Sequence, residues 1–267
     1  MSQFDLEGRR VLVTGGARGL GAGIAEALAT AGASVAIADL LEKEGREIAD
    51  KITKNGAKSI FVKHDVSNEG SWENAIATTI SGLGGLDCVV NNAGIEVTAL
   101  ITEIDPVELR KMLEVNFIGV ALGMKHAFRA MRPGGPAGKG GSVLNVSSVA
   151  ATIPFPSIAG YSGTKSAVDR MTRVAAAEAG KLGYGIRVNC IYPGLVATDM
   201  GIKLANDMVK LGLAPDAAAA VKGVIDLTPL GRLGEVRDIA DAAVFLVSDA
   251  SRFITGIGLP VDGGMGM

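Results

Sequence analysis

The chain has 267 residues, 48% of them hydrophobic and 20% charged, with 37 glycines and a formal net charge of -2. That size can bury a sizeable core, and the composition is that of a globular chain, not a disordered one. The near-neutral balance leaves no electrostatic basis for holding nucleic acid or an anionic membrane surface.

The opening MSQFDLEGRR carries acidic residues where a signal peptide needs an apolar run, and no later stretch is long enough to span a bilayer. A cytoplasmic location is the expectation. Cys88 and Cys190 each sit inside an apolar run and read as buried thiols. His64 and His126 lie far apart in sequence, with no zinc-ligand spacing, so the chemistry is expected to proceed without a metal.

In chain order, short apolar runs alternate with longer amphipathic segments. RRVLVTGG reads as the first strand and runs into ARGLGAG, with glycines at 15, 16, 19, 21 and 23 opening a helical pattern over 18–31. Glycine there lets the chain turn sharply and bring helix N–H groups close to a pyrophosphate, so this turn is a candidate dinucleotide site. ASVAIAD is the second strand and ends in Asp39, whose carboxylate can accept from ribose hydroxyls and repels a 2′-phosphate. Arg18 argues for a phosphate, but Leu40 and Leu41 follow Asp39 with no second cation, so NAD is favoured over NADP. A helical pattern at 42–54, the strand KSIFVKHD, a helix at 68–82 and the strand LDCVVNN come next. After them lie a helix over 106–132, the strand GSVLNVSS, a helix over 161–182, the strand IRVNCIYPG, a helix at 236–248 and the strand GIGLPVDGG. The glycine- and proline-rich RPGGPAGKGG at 132–141 reads as a flexible loop at the edge of the sheet away from ligands. Seven strands, most apolar on both faces and separated by helices, predict one domain: a Rossmann-type, doubly wound, seven-stranded parallel sheet with helices on both faces.

GYSGTK at 160–165 places Lys165 four residues after Tyr161, one turn apart on the same helix face. A free tyrosine has a pKa near 10, a deficit of about 4 kcal/mol for ionising at pH 7. A lysine cation some 4 Å away supplies about 4 kcal/mol at an effective dielectric near 20, so the spacing predicts a lysine that tunes the tyrosine.

The chain resembles the short-chain dehydrogenase/reductase family over essentially its whole length. The resemblance is carried by TGGARGLG (14–21), HDV (64–66), NNAG (91–94), Asn116, Ser148 in NVSS, YSGTK (161–165) and PGLVAT (193–198), all in order. It implies an NAD-dependent alcohol dehydrogenase or ketone reductase. The cofactor would lie along Gly15, Arg18, Gly19, Leu20 and Gly21, with Asp39 and Leu40 at the adenosine ribose. Asp65 and Val66 would hold the adenine edge, and Asn92, Ala93 and Gly94 would lie beside the ribose. Pro193, Gly194, Val196 and Thr198 would line the nicotinamide side. The resemblance makes Tyr161 the proton donor, Ser148 the group that polarises the substrate oxygen, and Lys165 a second hold on the nicotinamide ribose. Asn116 would organise a relay water near Lys165.

The loops that choose the substrate in this family are here IEVTAL, VAATIPFPSIAG and a lid over about 196–228. Ile153, Phe155, Met200, Leu204 and Met208 offer apolar surface, which suits a bulky cyclic, aryl or steroid-like secondary alcohol, and Glu96 is a candidate to touch substrate or lid. Two segments also look similar to bacterial hydroxysteroid dehydrogenases. The alternatives are a 3-oxoacyl-carrier-protein reductase and, from another class, a non-catalytic dinucleotide-sensing protein. Apolar residues on 106–132 and 161–182, among them Met112, Val120, Met124, Val168 and Val174, predict pairing through these helices into a homotetramer.

Overall fold

All seven expected strands form, and a single parallel sheet contains them. In the computed structural model, which describes residues 4–266, they are β1 (Arg10–Thr14), β2 (Ser34–Asp39), β3 (Ser59–Lys63), β4 (Cys88–Asn91), β5 (Gly141–Val146), β6 (Ile186–Pro193) and β7 (Gly258–Val261). Their order is β3-β2-β1-β4-β5-β6-β7, every neighbouring pair parallel. The chain runs outward from β1 in one direction, then returns and builds in the other from β4. The loops leaving β1 and β4 therefore separate at the carboxyl edge and leave a crevice between them.

The continuous apolar character of the strands follows from burial on both faces. Val11 and Val13 of β1 join one core layer, with Ile24 and Leu28 of α1 (Gly19–Thr30) and Ile239 and Leu246 of α9 (Val236–Val247). Leu12 between them points the other way. It belongs to the second core layer, with Trp72 of α3 (Glu69–Leu83), Met124 of α5 (Gly119–Met131) and Val168 of α6 (Ala159–Lys181). Local chemistry sets the helix ends. Asn68 caps α3 through Ser71 N–H and Gly84 closes it at φ 86°, while Asp105 caps α4 (Pro106–Leu113) with proline at its start.

Three expectations change. The helix over 106–132 is α4 and α5 joined by a wider π turn at Glu114–Ile118. The lid segment contains two helices not distinguished in the sequence, α7 (Asp199–Lys210) and α8 (Ala217–Asp226), capped by Thr198 and Asp216. The 132–141 segment is not loose: its turns are tied back to the end of α5, with Ala137 N–H on the Ala130 carbonyl and Gly140 N–H on that of Met131, each at 2.9 Å. Among the described residues no helix is long and apolar enough to cross a membrane.

The apolar faces expected to pair between subunits are largely used within the chain. Met112, Val120, Met124, Ala127, Val168 and Ala175 are all buried, which leaves Val107, Leu113, Ile118, Val174 and Leu182 as the exposed large apolar residues there.

Gly123 lets α5 approach the sheet. A Cβ at this position would stand 2.1 Å from Asn91 Oδ1 and 2.8 Å from Trp72, and Asn91 cannot give way because its amide donates to Asn145 at 2.8 Å. Gly123→Ala is expected to destabilise the fold by about 1–3 kcal/mol, read as a fall in melting temperature of several degrees. An unchanged melting temperature would show that α5 can shift away from β4.

Candidate active site

The first turn is shaped by exclusion of side-chain bulk. Gly15 has φ +62°, and a Cβ there would lie 2.8 Å from the Ala93 backbone; one on Gly21 would lie 2.0 Å from the Gly15 carbonyl. Arg18, exposed and extended, precedes α1 and makes no side-chain cap, so its side chain does not satisfy the helix's first N–H groups. Asp39 closes the other side: its carboxylate accepts from Ala17 N–H and Leu41 N–H, both at 3.0 Å. Leu40 beside it is exposed. A cradle without side chains, an uncapped helix start and a carboxylate one strand away fit the pyrophosphate and ribose of a dinucleotide.

β4 and β1 are clamped to each other where the crevice opens. Asn92 Nδ2 donates to the carbonyls of Thr14 (2.9 Å) and Gly15 (3.1 Å), while Thr14 Oγ1 accepts from Asn92 N–H and Ala93 N–H. The Asn92 amide thus braces the turn and has no free N–H to offer a ribose. Asp65 Oδ1 accepts from the Ser67 backbone and hydroxyl, and the Val66 carbonyl from Trp72 Nε1. Beyond β6, which ends at Pro193, Gly194 passes so close to Asp262 that a Cβ would stand 2.9 Å from its Cα. Val196 is buried, and Thr198 caps α7.

Ser148, Tyr161, Lys165 and Asn116 converge on the same edge. Tyr161 lies in the first turn of α6, with the Lys165 ammonium 5.5 Å from its ring centre and donating to the Val146 carbonyl at 2.8 Å. Gly94 lies beside Lys165 and Asn116: a Cβ there would make ordinary contacts, 3.5 Å from Lys165 Nζ and 3.4 Å from Asn116 Oδ1. Fully buried in the π turn, Asn116 holds Ile95 by both backbone groups at 2.8 Å and also reaches Thr164 Oγ1 at 3.2 Å. Ser148 Oγ accepts from Ala150 N–H at the start of a short 3-10 turn, Val149–Ala151. Its neighbour Ser147 is committed elsewhere, donating to the Lys165 carbonyl at 2.9 Å.

Burial governs the electrostatics. It pushes the Tyr161 phenol up to about 12, with the Ser148 hydroxyl pulling back and the Glu96 charge pushing further. It pushes the Lys165 ammonium down to about 8. The sequence spacing predicts that Lys165 lowers Tyr161; in the free protein burial is the largest influence on the phenol and acts the other way. At pH 7 the phenol is neutral and holds its proton, and the lysine is mostly charged.

Of the residues expected at the substrate, Ile153, Phe155, Leu204 and Met208 are partly exposed and Met200 is more open. Glu96 is nearly buried, bonded to Thr98 and paired with Lys203 of α7. Sequence reasoning missed Thr14, Thr98, Thr164, Lys203 and Asp207. Only the i,i+4 spacing of Lys203 and Asp207 was there to be found. His64 packs against Trp72, edge-on at 4.4 Å, and burial lowers its pKa to about 4. Among the described residues no group of three or more His, Cys, Asp or Glu could hold a metal ion.

A doubly wound sheet with a glycine cradle at its crevice and a serine, tyrosine and lysine beside it defines a dinucleotide-dependent oxidoreductase. A family profile described as enoyl-(acyl carrier protein) reductase matches residues 15–266. The chain is 39% identical over 259 residues to the trans-4-hydroxycyclohexanecarboxylate dehydrogenase of Sinomonas cyclohexanicum, covering 95% of this chain and 91% of that one. It is 37% identical over 262 residues to a 2,5-dichloro-2,5-cyclohexadiene-1,4-diol dehydrogenase of Sphingobium indicum, covering 97% and 98%. A gluconate 5-dehydrogenase from Burkholderia cenocepacia, solved in complex with NADP and tartrate, superposes with a TM-score of 0.88 at 33% identity over 98% of this chain and 97% of that one. The protein belongs to the short-chain dehydrogenase/reductase family and is an NAD(P)-dependent oxidoreductase.

A buried lysine held by one carbonyl costs stability. With its pKa lowered in the folded state, that cost is full below about pH 8 and disappears as pH rises toward the unfolded value of 10.5. The shift corresponds to about 3 kcal/mol, offset by about 1–2 kcal/mol for the bond to Val146. Lys165→Met is therefore expected to raise the melting temperature at pH 7 by a few degrees, an advantage that shrinks above pH 8. A variant less stable than the parent at pH 7 would show that the ammonium is better solvated than its burial implies.

Proposed function

We propose that this protein prefers NAD and oxidises ring-bearing secondary alcohols, or reduces the corresponding ketones, with Tyr161 transferring the proton. The observation that carries this reading is the meeting of Tyr161, Ser148, Lys165 and Asn116 at the carboxyl edge, beside the glycine cradle. A bound nicotinamide cofactor supplies or accepts the hydride. In the reducing direction Tyr161 gives its proton to the developing alkoxide, and Ser148 hydrogen-bonds the same oxygen. No ionisation has to precede this, because the buried phenol is neutral. In the oxidising direction a pKa of about 12 leaves a deficit of about 7 kcal/mol at pH 7. The Lys165 cation and the Ser148 hydroxyl are the groups placed to reduce it, and Asn116 keeps the loop after β4 against α6 around Lys165.

Support for a ring substrate comes from the two relatives whose names specify a hydroxycyclohexane acid and a cyclohexadiene diol. It also comes from the apolar residues Ile153, Phe155, Leu204 and Met208 near the site. Residues 196–228, with α7 and α8, act in this reading as a lid that excludes water over the ring. The preference for NAD rests on Asp39: a 2′-phosphate would meet a carboxylate already committed to two N–H groups. Self-association, to the tetramer that the family resemblance implies, would use the exposed Leu113, Ile118 and Val174.

The test compares kcat/KM for 2-propanol, cyclohexanol, 1-phenylethanol and a hydroxysteroid, each with NAD and with NADP. Cyclohexanol should exceed 2-propanol by about 50-fold, from about 0.8 kcal/mol for each of three added methylenes. NAD should be favoured throughout, and Tyr161→Phe should lose at least ~10³ in kcat while still binding cofactor. A preference for the smallest alcohol or for an acyl thioester would overturn the substrate class, and equal use of NADP would overturn the role of Asp39.

A further inference from the structure

Thr164 stands between Tyr161 and Lys165 in α6 and is buried, with 1% of its surface exposed. Thr30, Thr53 and Thr79 hydrogen-bond the carbonyl four residues back in their own helices, the ordinary use of a helical threonine. Thr164 instead reaches three residues back, its Oγ1 donating to the Tyr161 carbonyl at 2.7 Å. The same oxygen accepts from Asn116 Nδ2 at 3.2 Å, 48 positions away in the chain.

The hydrogens of this network have one arrangement. Ile95 N–H can only donate, so it faces Asn116 Oδ1; the Ile95 carbonyl can only accept, so it faces Nδ2, both at 2.8 Å. The second Nδ2 hydrogen is left for Thr164, whose single hydroxyl proton then goes to Tyr161. Asn116 is fully buried in the π turn, so loss of the hydroxyl would leave a buried N–H unpaired. Lys165, the next residue, is held from β5 and the residue after it: Nζ donates to the Val146 carbonyl, and its own carbonyl accepts from Ser147 Oγ. That end of the sheet fixes the lysine, while Thr164 joins the tyrosine's turn to the loop after β4.

We propose that Thr164 is a positioning residue for the reaction: its hydroxyl fixes the Tyr161 peptide against Asn116, and so sets the place of the phenol relative to Lys165 and Ser148. The inference rests on Tyr161 as the proton-transferring group, through which Thr164 acts. Misplacing a reacting group by about 1 Å costs on the order of 100-fold in rate, and this hydroxyl is the tie that opposes such drift.

The readout is kcat for oxidation of cyclohexanol by NAD, expressed per NADH-binding site titrated by fluorescence. Thr164→Val keeps the shape of the side chain and removes the hydroxyl; it should lose about 10- to 100-fold in kcat, with KM for NAD changed by less than about threefold. Thr164→Ser keeps the oxygen and should hold kcat within about threefold of the parent. A merely structural threonine would lower the number of NADH-binding sites and leave kcat per site alone. Parent-like kcat in the valine variant, or a serine variant no better than valine, would overturn the proposal. If the valine variant fails to fold, Thr164→Ala and Thr164→Ser, which differ by one oxygen, decide. A deficit of about tenfold or more in alanine alone supports the proposal, and equal rates overturn it. Tyr161→Phe run alongside separates the two readings. An inactive phenylalanine variant with parent-like kcat in the Thr164 variants overturns only this inference, whereas an active one overturns the assignment of proton transfer itself.

Discussion

The reversal of strand order between β1 and β4 is the constraint on which the site depends. A parallel sheet covered by helices on both faces sends every strand's exit loop to one edge, and the reversal is the place where two such loops part. Thr14 and Asn92 fasten the two strands at that point, so the crevice has a rigid floor. The glycine turn lies on one side of it. Gly94, Lys165 and Asn116 lie on the other, close enough that a methyl group on Gly94 would touch both partners at ordinary contact distance.

Groups that a core would normally reject are concentrated along this edge. Lys165, Asn116, Asn145 and Ser147 are all buried among apolar layers, and each is satisfied by a backbone carbonyl or a neighbouring side chain. Such networks are costly if half-made and rigid when complete. The consequence for function is a tyrosine and a lysine whose pKa values burial drives apart, the phenol up and the ammonium down. Further burial alone would make Tyr161 a poorer base; the compensation has to come from charges and hydrogen bonds that the fold brings to it. Helix α7 is tied to the same edge, because Lys203 reaches the buried Glu96 on the loop after β4.

The sequence by itself determined the seven strands, the order of strand and helix, the glycine turn, Asp39, and the Tyr161–Lys165 pair. Each is a local property: an apolar run, a breaker, or a spacing along one helix, readable without knowing what packs against it. The tertiary structure alone decided the rest. The π turn that buries Asn116 is invisible to a period of 3.6 residues, and α7 and α8 read in sequence only as an apolar lid. The engagement of the Asn92 amide with the first turn and the salt bridge between Glu96 and Lys203 join residues 77 and 107 positions apart. Spacing places a lysine beside a tyrosine, but whether its charge prevails depends on how much water both have lost, and that is set by elements far away in the chain.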